Sequence, residues 1–260
     1  MRPAHTIVIN PEWQTLLKAN GLDSVDAIFS RKDGTVIKAG KNTEVRRLDL
    51  NGHIVFLKKY LYPTFRLRLS GANRGTFFGI SKAHREYDNL GKLRAWGLDA
   101  PAPVAYCEER RCRWLWRSAL LSEGIPDPVA LDVFIRGPRG DLINRLADYT
   151  RRMHEHRFVH HDYFWRNILL SGNSLEHFYL IDSHKGRQWR CGGHRNRAKD
   201  LATLDAPAPG FFRRTERLRF FLRYLGHDRL TDDDKQFLRL VLQLAAPMRD
   251  TQLRRVRKAQ

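Results

Sequence analysis

Three polar side chains in the middle of the chain have the types and spacing that phosphoryl transfer requires. Asp162 lies in the stretch 160–170, Asn167 follows it five residues later, and Asp182 comes directly after the apolar pair at 180–181. A carboxylate such as Asp162 can orient an attacking hydroxyl and accept its proton. Carboxylate and amide oxygens are the ligands that Mg²⁺ prefers. The sequence therefore predicts a base at Asp162 and a magnesium site at Asn167 and Asp182.

A lysine and a glutamate earlier in the chain fit the same chemistry. Lys58 follows the apolar residues 54–57 in the stretch 53–60, which we predict to be a buried strand that ends in lysine. Glu86 shares one face of a predicted helix with Ala83 and Leu90. Because an acid on a core-facing stripe needs a partner, we predict an ion pair between Glu86 and Lys58.

These five residues follow the order of the functional positions of the protein kinase superfamily. The segments VFLKKY (55–60), REY (85–87), APAPVAY (100–106) and KDLATL (199–204) resemble the bacterial lipopolysaccharide core kinase family, the Kdo/WaaP type that is also called InaA-like. The resemblance extends over roughly residues 25–225. It implies a protein-kinase-like fold, ATP with Mg²⁺, and a heptose or Kdo hydroxyl of the lipopolysaccharide inner core as acceptor. It also implies that Lys58, oriented by Glu86, binds the nucleotide phosphates.

The sequence departs from the protein kinase pattern around these positions. The segment before Lys58 is glycine-poor, and no Phe-Gly pair follows Asp182. His161 replaces the arginine that usually precedes the base, and Phe164 stands where protein kinases usually carry a phosphate-contacting lysine. These differences argue against a regulated protein kinase and leave the five functional positions intact.

The elements predicted around the site indicate an α+β fold of the two-lobed kinase type. A β pattern from residue 25 to 60 with a turn at Asn51-Gly52, and strands at 104–106 and 114–122, predict a β-rich, nucleotide-binding lobe over residues 1–124. A helix that Asp141 could cap, and helices at 199–205, 211–225 and 232–245, predict a helical lobe over residues 125–260. This second lobe would carry the catalytic loop, the metal site and the acceptor site.

The net charge of +19 favours an anionic partner. Residues 50–85 contain seven Lys or Arg and no acid, and residues 183–199 contain six and no acid. Arginine binds a carboxylate or a phosphate through two parallel hydrogen bonds, so we predict acceptor contacts at Arg187, Arg190, Arg195 and Arg197. We expect an aromatic rim to accompany them, formed by Tyr60, Tyr62, Phe65, Phe77 and Phe78. Such a surface suits an anionic glycolipid, with peripheral contact to the inner membrane.

Two other interpretations stay open. A basic, aromatic surface would also suit RNA, but the chain has no recognised RNA-binding motif, so nucleic acid is not the expected partner. A small-molecule kinase of the aminoglycoside or choline type would keep the same Asp, Asn and Asp. Its substrates are often cationic, which disagrees with the charge of this chain.

Several features predict a cytoplasmic protein. The chain has no apolar run of eighteen residues, and its first residues lack the apolar region of a signal peptide. Its three cysteines cannot all form disulfides with one another. We therefore expect it in the cytoplasm, at the inner face of the membrane that carries its substrate.

Overall fold

The chain divides into two units in the computed structural model, which describes residues 3–64, 79–136, 141–172 and 174–258. The first unit comprises Met1–Lys92 and Pro101–Gly124, and the second comprises Leu93–Ala100 and Ile125–Gln260. The assignment of nucleotide binding to residues 1–124 and of catalysis to residues 125–260 stays a prediction.

Six strands of the first unit form an antiparallel sheet with the order β1-β5-β6-β4-β3-β2. The strands are β1 (Ala4–Ile9), β2 (Thr35–Gly40), β3 (Thr43–Leu50), β4 (His53–Leu61), β5 (Pro103–Arg111) and β6 (Trp114–Glu123). A 3-10 turn (Pro11–Trp13) and the helices α1 (Gln14–Ala19) and α2 (Val25–Ser30) pack on one face of this sheet. The predicted turn at Asn51-Gly52 joins β3 to β4, and both residues have positive φ, as this hairpin turn requires.

Strand β4 directs its two consecutive lysines to opposite faces of the sheet, because side chains alternate along a strand. Lys59 shares the face of Val55 and Leu57, which are fully buried. Its ammonium group donates to the carbonyl oxygens of Phe29 at 3.1 Å and Arg31 at 2.7 Å, at the end of α2. Lys58 consequently points to the other face.

The predicted β pattern is wrong at its beginning, where residues 25–30 form α2. The Ser24 hydroxyl accepts a hydrogen bond from the Ala27 amide at 3.2 Å, and Asp26 lies in the first turn. A serine N-cap followed by an acid favours a helix start. This local signal outweighs the β-type residues that follow it.

Helix α3 (Lys82–Ala95) carries the predicted core-facing stripe. Ala83, Glu86, Leu90 and Leu93 are all buried along one face. Their spacing of three to four residues places them one above the other on a helix. Glu86 is thus a carboxylate held on an otherwise apolar stripe.

The second unit is mainly helical. Its helices are α4 (Leu131–Phe134), α5 (Leu142–Glu155), α6 (Gly193–Asp205), α7 (Arg214–Leu225), α8 (Asp232–Ala245) and α9 (Arg249–Lys258). The strands β7 (Pro128–Ala130), β9 (Ile168–Ser171) and β10 (Phe178–Leu180) form a small antiparallel sheet, and β8 (Phe158–Val159) pairs with β11 (Arg187–Gln188). A β-rich first unit and a helical second unit are what the predicted α+β class requires.

Two predicted helix starts in this unit have different outcomes. The Thr231 hydroxyl accepts from the Asp234 amide at 3.2 Å, and the Asp234 carboxylate accepts from the Thr231 amide at 2.9 Å, so the two residues cap the predicted helix at its start. Asp141 does not cap α5 through its side chain, because its carboxylate accepts from the Asn144 side chain at 2.6 Å. Across the described ranges, we find no helix with the length and apolar character that a membrane span requires.

Candidate active site

The first unit contains the predicted ion pair. Lys58 Nζ lies 3.1 Å from Glu86 Oε2 and 3.3 Å from Oε1. The Glu86 side chain is 5% exposed and that of Lys58 is 19% exposed, so the lysine retains access to solvent. The pair joins β4 to α3 and presents a lysine whose orientation is fixed by a buried carboxylate.

Two residues expected on an aromatic rim are instead buried. The Tyr60 hydroxyl donates to Glu86 Oε2 at 3.1 Å, and Tyr62 is also buried. The prediction that these two tyrosines belong to an exposed aromatic rim is therefore wrong, because both side chains point into the protein. Phe65, Phe77 and Phe78 lie outside the described residues.

In the second unit, residues 160–167 form the predicted catalytic loop, which folds around the Asp162 carbonyl oxygen. This oxygen accepts from the Phe164 amide at 2.7 Å and from the Asn167 side-chain nitrogen at 2.8 Å. The loop ends in a 3-10 turn, Trp165–Asn167. The Trp165 indole donates to the Leu204 carbonyl oxygen at 2.8 Å. Because the Asn167 nitrogen is used inside the loop, its side-chain oxygen is the atom left for a cation.

Asp182 enters the site at the end of strand β10. The Ile181 amide donates to the Asn167 carbonyl oxygen at 3.0 Å, which extends the pairing of β9 with β10 by one step. Asp182 itself has a φ of 58°, in the left-handed region that non-glycine residues seldom adopt. His184 Nδ1 lies 2.7 Å from Asp182 Oδ1. The structure thus brings the three predicted residues Asp162, Asn167 and Asp182 into one loop system.

Asp200 on α6 supports this loop and was not predicted as a site residue. Its carboxylate accepts from the His160 amide at 2.7 Å and from the His161 amide at 2.9 Å. Asp200 is buried, and Leu204, four residues later on the same face of α6, is buried as well. The rule that selected Glu86, an acid on an apolar stripe, would also have selected Asp200.

A buried histidine and tyrosine complete the support. His154 Nε2 lies 3.5 Å from Asp200, and its Nδ1 lies 2.8 Å from the Tyr224 hydroxyl. Burial lowers the pKa of His154 against the attraction of Asp200, and burial raises the pKa of Tyr224 to about 12. Burial opposes ionisation of Asp200, but hydrogen bonds to His154 and to the His160 amide hold its pKa below the ordinary value. These three pKa shifts are consistent with an ionised Asp200 beside a neutral His154 and a neutral Tyr224.

The four predicted acceptor arginines differ in exposure. Arg187, Arg190 and Arg195 are exposed, and Arg187 Nε donates to His161 Nε2 at 3.2 Å. Arg197 is half-buried and lies over the Phe237 ring, 5.4 Å from its centroid. Arg187 is therefore the arginine that the structure joins directly to the catalytic loop. Acceptor contact stays a prediction for all four.

Comparison with known proteins identifies the family. Residues 42–221 match the model of the lipopolysaccharide kinase (Kdo/WaaP) family, which is more than half of the chain. The chain belongs to this family. The predicted membership of the lipopolysaccharide kinase family is thereby confirmed. No curated protein matches the chain.

A solved structure supports the fold. The chain is similar to "WaaP in complex with acyl carrier protein", with a TM-score of 0.63, 24% sequence identity and coverage of 99% of each chain. The predicted protein-kinase-like fold is confirmed. As a member of the lipopolysaccharide kinase family, the protein is a phosphotransferase of lipopolysaccharide biosynthesis, and kinase chemistry implies a nucleotide as phosphoryl donor.

Proposed function

We propose that the protein transfers the γ-phosphoryl group of ATP to a hydroxyl of a heptose or Kdo sugar in the lipopolysaccharide inner core. The arrangement of Asp162, Asn167 and Asp182 carries this proposal. The hydrogen bond from the Ile181 amide to the Asn167 carbonyl ties the end of β10 to the end of the catalytic loop. Base and candidate metal ligands are thereby connected through two backbone segments.

Each side chain has a role that its surroundings support. Asp162 orients the acceptor hydroxyl and takes its proton. The side-chain oxygens of Asn167 and Asp182 are hard ligands and fit Mg²⁺, which when bound would neutralise charge on the nucleotide phosphates. Lys58, which Glu86 orients, is proposed to bind nucleotide phosphates.

Acceptor recognition is proposed for the exposed arginines of residues 183–199. Lipopolysaccharide cores carry carboxylates and phosphates, and guanidinium groups bind both through paired hydrogen bonds. Arg187 is favoured because it contacts His161, the neighbour of the proposed base. The same basic surface supports peripheral contact with an anionic membrane.

Phosphorylation of truncated cores tests the reaction. The protein is incubated with labelled ATP and with lipopolysaccharide cores truncated at successive sugars, and the first core that gains label identifies the acceptor. Asp162→Asn should lower turnover by about 10²–10⁴ while nucleotide binding persists, and Asp182→Asn should abolish Mg²⁺-dependent nucleotide binding. Asp148→Asn is the control, because Asp148 forms an exposed ion pair with Arg223. Wild-type transfer by both site variants would refute the proposed site.

The arginines separate the core kinase from an RNA-binding protein. Replacing Arg187 and Arg190 with Gln should weaken binding of a phosphorylated core but spare ATP binding. The loss should shrink at high salt, where the attraction is already screened. Weaker RNA binding with a smaller salt slope, together with unchanged core kinetics, would favour the RNA interpretation instead.

An acyl carrier is proposed as a second ligand of this chain. The similar solved structure contains an acyl carrier protein, and the second unit here holds a largely apolar cavity of about 390 Å³. Leu142, Leu201 and Leu238 line it, together with Arg214 and Arg249. We propose that it accepts the acyl chain of such a carrier. Co-elution with an acylated carrier protein, and none with the unacylated carrier, would support this; equal behaviour of the two would contradict it.

A further inference from the structure

The candidate base has a basic neighbour that the catalytic loop itself does not supply. Lys185 Nζ lies 3.1 Å from Asp162 Oδ2. The Asp162 side chain is 12% exposed, whereas that of Lys185 is 50% exposed. The two residues are 23 positions apart in sequence, so the contact depends on the fold.

The backbone fixes Lys185 beside the loop. Strand β8 leads directly into the catalytic loop, and β11 follows the turn that carries Lys185; the two strands pair, with Arg187 opposite Val159. Within the turn that precedes β11, the Gly186 amide donates to the Ser183 carbonyl oxygen at 2.8 Å. A Cβ on Gly186 would overlap the Phe158 ring, so the turn approaches β8 as closely as only glycine permits. Lys185 is thus attached to the same two-strand ribbon as the proposed base.

The position where protein kinases carry a phosphate-contacting lysine is apolar here. Phe164 occupies it, and the Arg166 guanidinium lies over the Phe164 ring at 4.2 Å. Phosphoryl transfer develops charge on the transferred group, and a cation aimed at that charge is a large contribution to rate. Within the described residues, Lys185 is the lysine that contacts Asp162.

We propose that Lys185 contacts the transferred phosphoryl group and replaces the lysine that the loop lacks. This rests on the proposed kinase function. As the acceptor hydroxyl attacks the γ-phosphorus, its proton passes to Asp162. The bond from the γ-phosphorus to the bridging oxygen breaks, and ADP leaves with that electron pair. Lys185 keeps its proton throughout and stabilises the charge on the equatorial oxygens.

The ion pair with Asp162 suits this role because its lysine is half exposed. Water can solvate the ammonium group as it leaves Asp162, and phosphate oxygens then become its anionic partners. A long, flexible side chain on a fixed turn supplies the reach. In the free protein, the contact with Asp162 keeps the Lys185 ammonium group beside the proposed base, so only the lysine side chain has to move to reach the phosphoryl group.

Three variants test the proposal. Lys185→Met removes the charge, and Lys185→Arg keeps it. Lys235→Met is the control, because the Lys235 side chain is 49% exposed, close to the 50% of Lys185, and its ammonium group pairs with Asp232 at 2.9 Å away from the site. We expect kcat of Lys185→Met to fall about 10²–10³-fold with little change in KM for ATP. Lys185→Arg should recover part of this loss, and Lys235→Met should match the wild type.

A binding measurement gives a readout besides turnover. ADP with aluminium fluoride and Mg²⁺ mimics the transferred phosphoryl group, whereas ADP alone does not. Lys185→Met should weaken binding of the mimic but leave binding of ADP unchanged. A wild-type kcat, a raised kcat, or equal losses for the mimic and ADP would overturn the role of Lys185. If the wild-type protein itself transfers no phosphoryl group to any core, the proposed function fails instead.

Discussion

Replacing Asp200 with Asn should loosen the catalytic loop while changing only one atom in the side chain. The two carboxylate oxygens each accept one backbone amide, from His160 at 2.7 Å and from His161 at 2.9 Å. An amide keeps one acceptor oxygen and presents an NH₂ group to the other N–H. Asp200→Asn therefore sets a donor against a donor in a site that is 1% exposed.

The cost follows from these two bonds. Losing a hydrogen bond to a charged acceptor costs about 1.5–3 kcal/mol, and a buried unsatisfied N–H adds about 1–3 kcal/mol. Together we expect a loss of about 2.5–6 kcal/mol in the free energy of unfolding, a large share of the roughly 5–15 kcal/mol of a typical domain. Urea unfolding measures this loss, and amide hydrogen exchange at His160 and His161 reports whether it is local.

Asp148→Asn is the appropriate comparison. It removes the same charge from an exposed pair with Arg223, with a nitrogen–oxygen distance of 2.7 Å. Exposed pairs contribute little because water screens them, so this control should change the free energy of unfolding little. If Asp200→Asn changes it no more than the control does and the two amides keep their protection, Asp200 does not hold the loop and the reasoning is refuted.

Three further predictions concern the site and its supports. Burial lowers the pKa of His154, His160 and His161 in the folded protein. Acidification below about pH 6.5 should therefore lower the free energy of unfolding, because these histidines bind protons at a higher pH in the unfolded chain than in the folded one. A urea-unfolding series that stays flat from pH 7.5 to 5 would contradict the lowered pKa values. Gly186→Ala should cost about 1–3 kcal/mol by overpacking against Phe158, whereas Gly40→Ala, with its nearest contact at 3.6 Å, should not; equal thermal shifts would refute the close approach. If Lys58 and Glu86 act as one unit, the double variant Lys58→Met/Glu86→Gln should lose no more activity than the worse single variant, and additive losses in kcat/KM would exclude the pairing.

Local sequence patterns were sufficient to predict those features whose residues lie close together in the chain. The Asn51-Gly52 turn, the Thr231 cap and the stripe on α3 are all formed by residues close in sequence. The alternation of β4 also separates Lys58 from Lys59, since Val55 and Leu57 must share the face of Lys59. The Lys58–Glu86 pair was therefore predictable from two short segments.

Not every contact between distant segments was predictable in this way. Tyr60 follows two lysines in the sequence and was expected at the surface. Its hydroxyl instead donates to Glu86, because helix α3 covers that face of the sheet. The contact of Lys185 with Asp162 depends on the pairing of β8 with β11, two strands of two residues each. Strands this short leave no periodicity in the sequence, so their pairing had no signal to predict it.

The support of the catalytic loop explains how it can keep its shape without a phosphorylation switch. Protein kinases that are switched by phosphorylation use an arginine before the base to bind an activation-loop phosphate, and His161 stands at that position here. His161 adopts a positive φ of 60° and donates its backbone amide to Asp200, which is buried. The backbone directly before the proposed base is thus held by a permanent carboxylate on α6, and the two hydrogen bonds need no modification to form. Under the proposed function, a loop fixed in this way leaves access of the acceptor to Asp162 to set the activity, and we propose that an anionic acceptor is guided there by the exposed Arg187, which contacts His161.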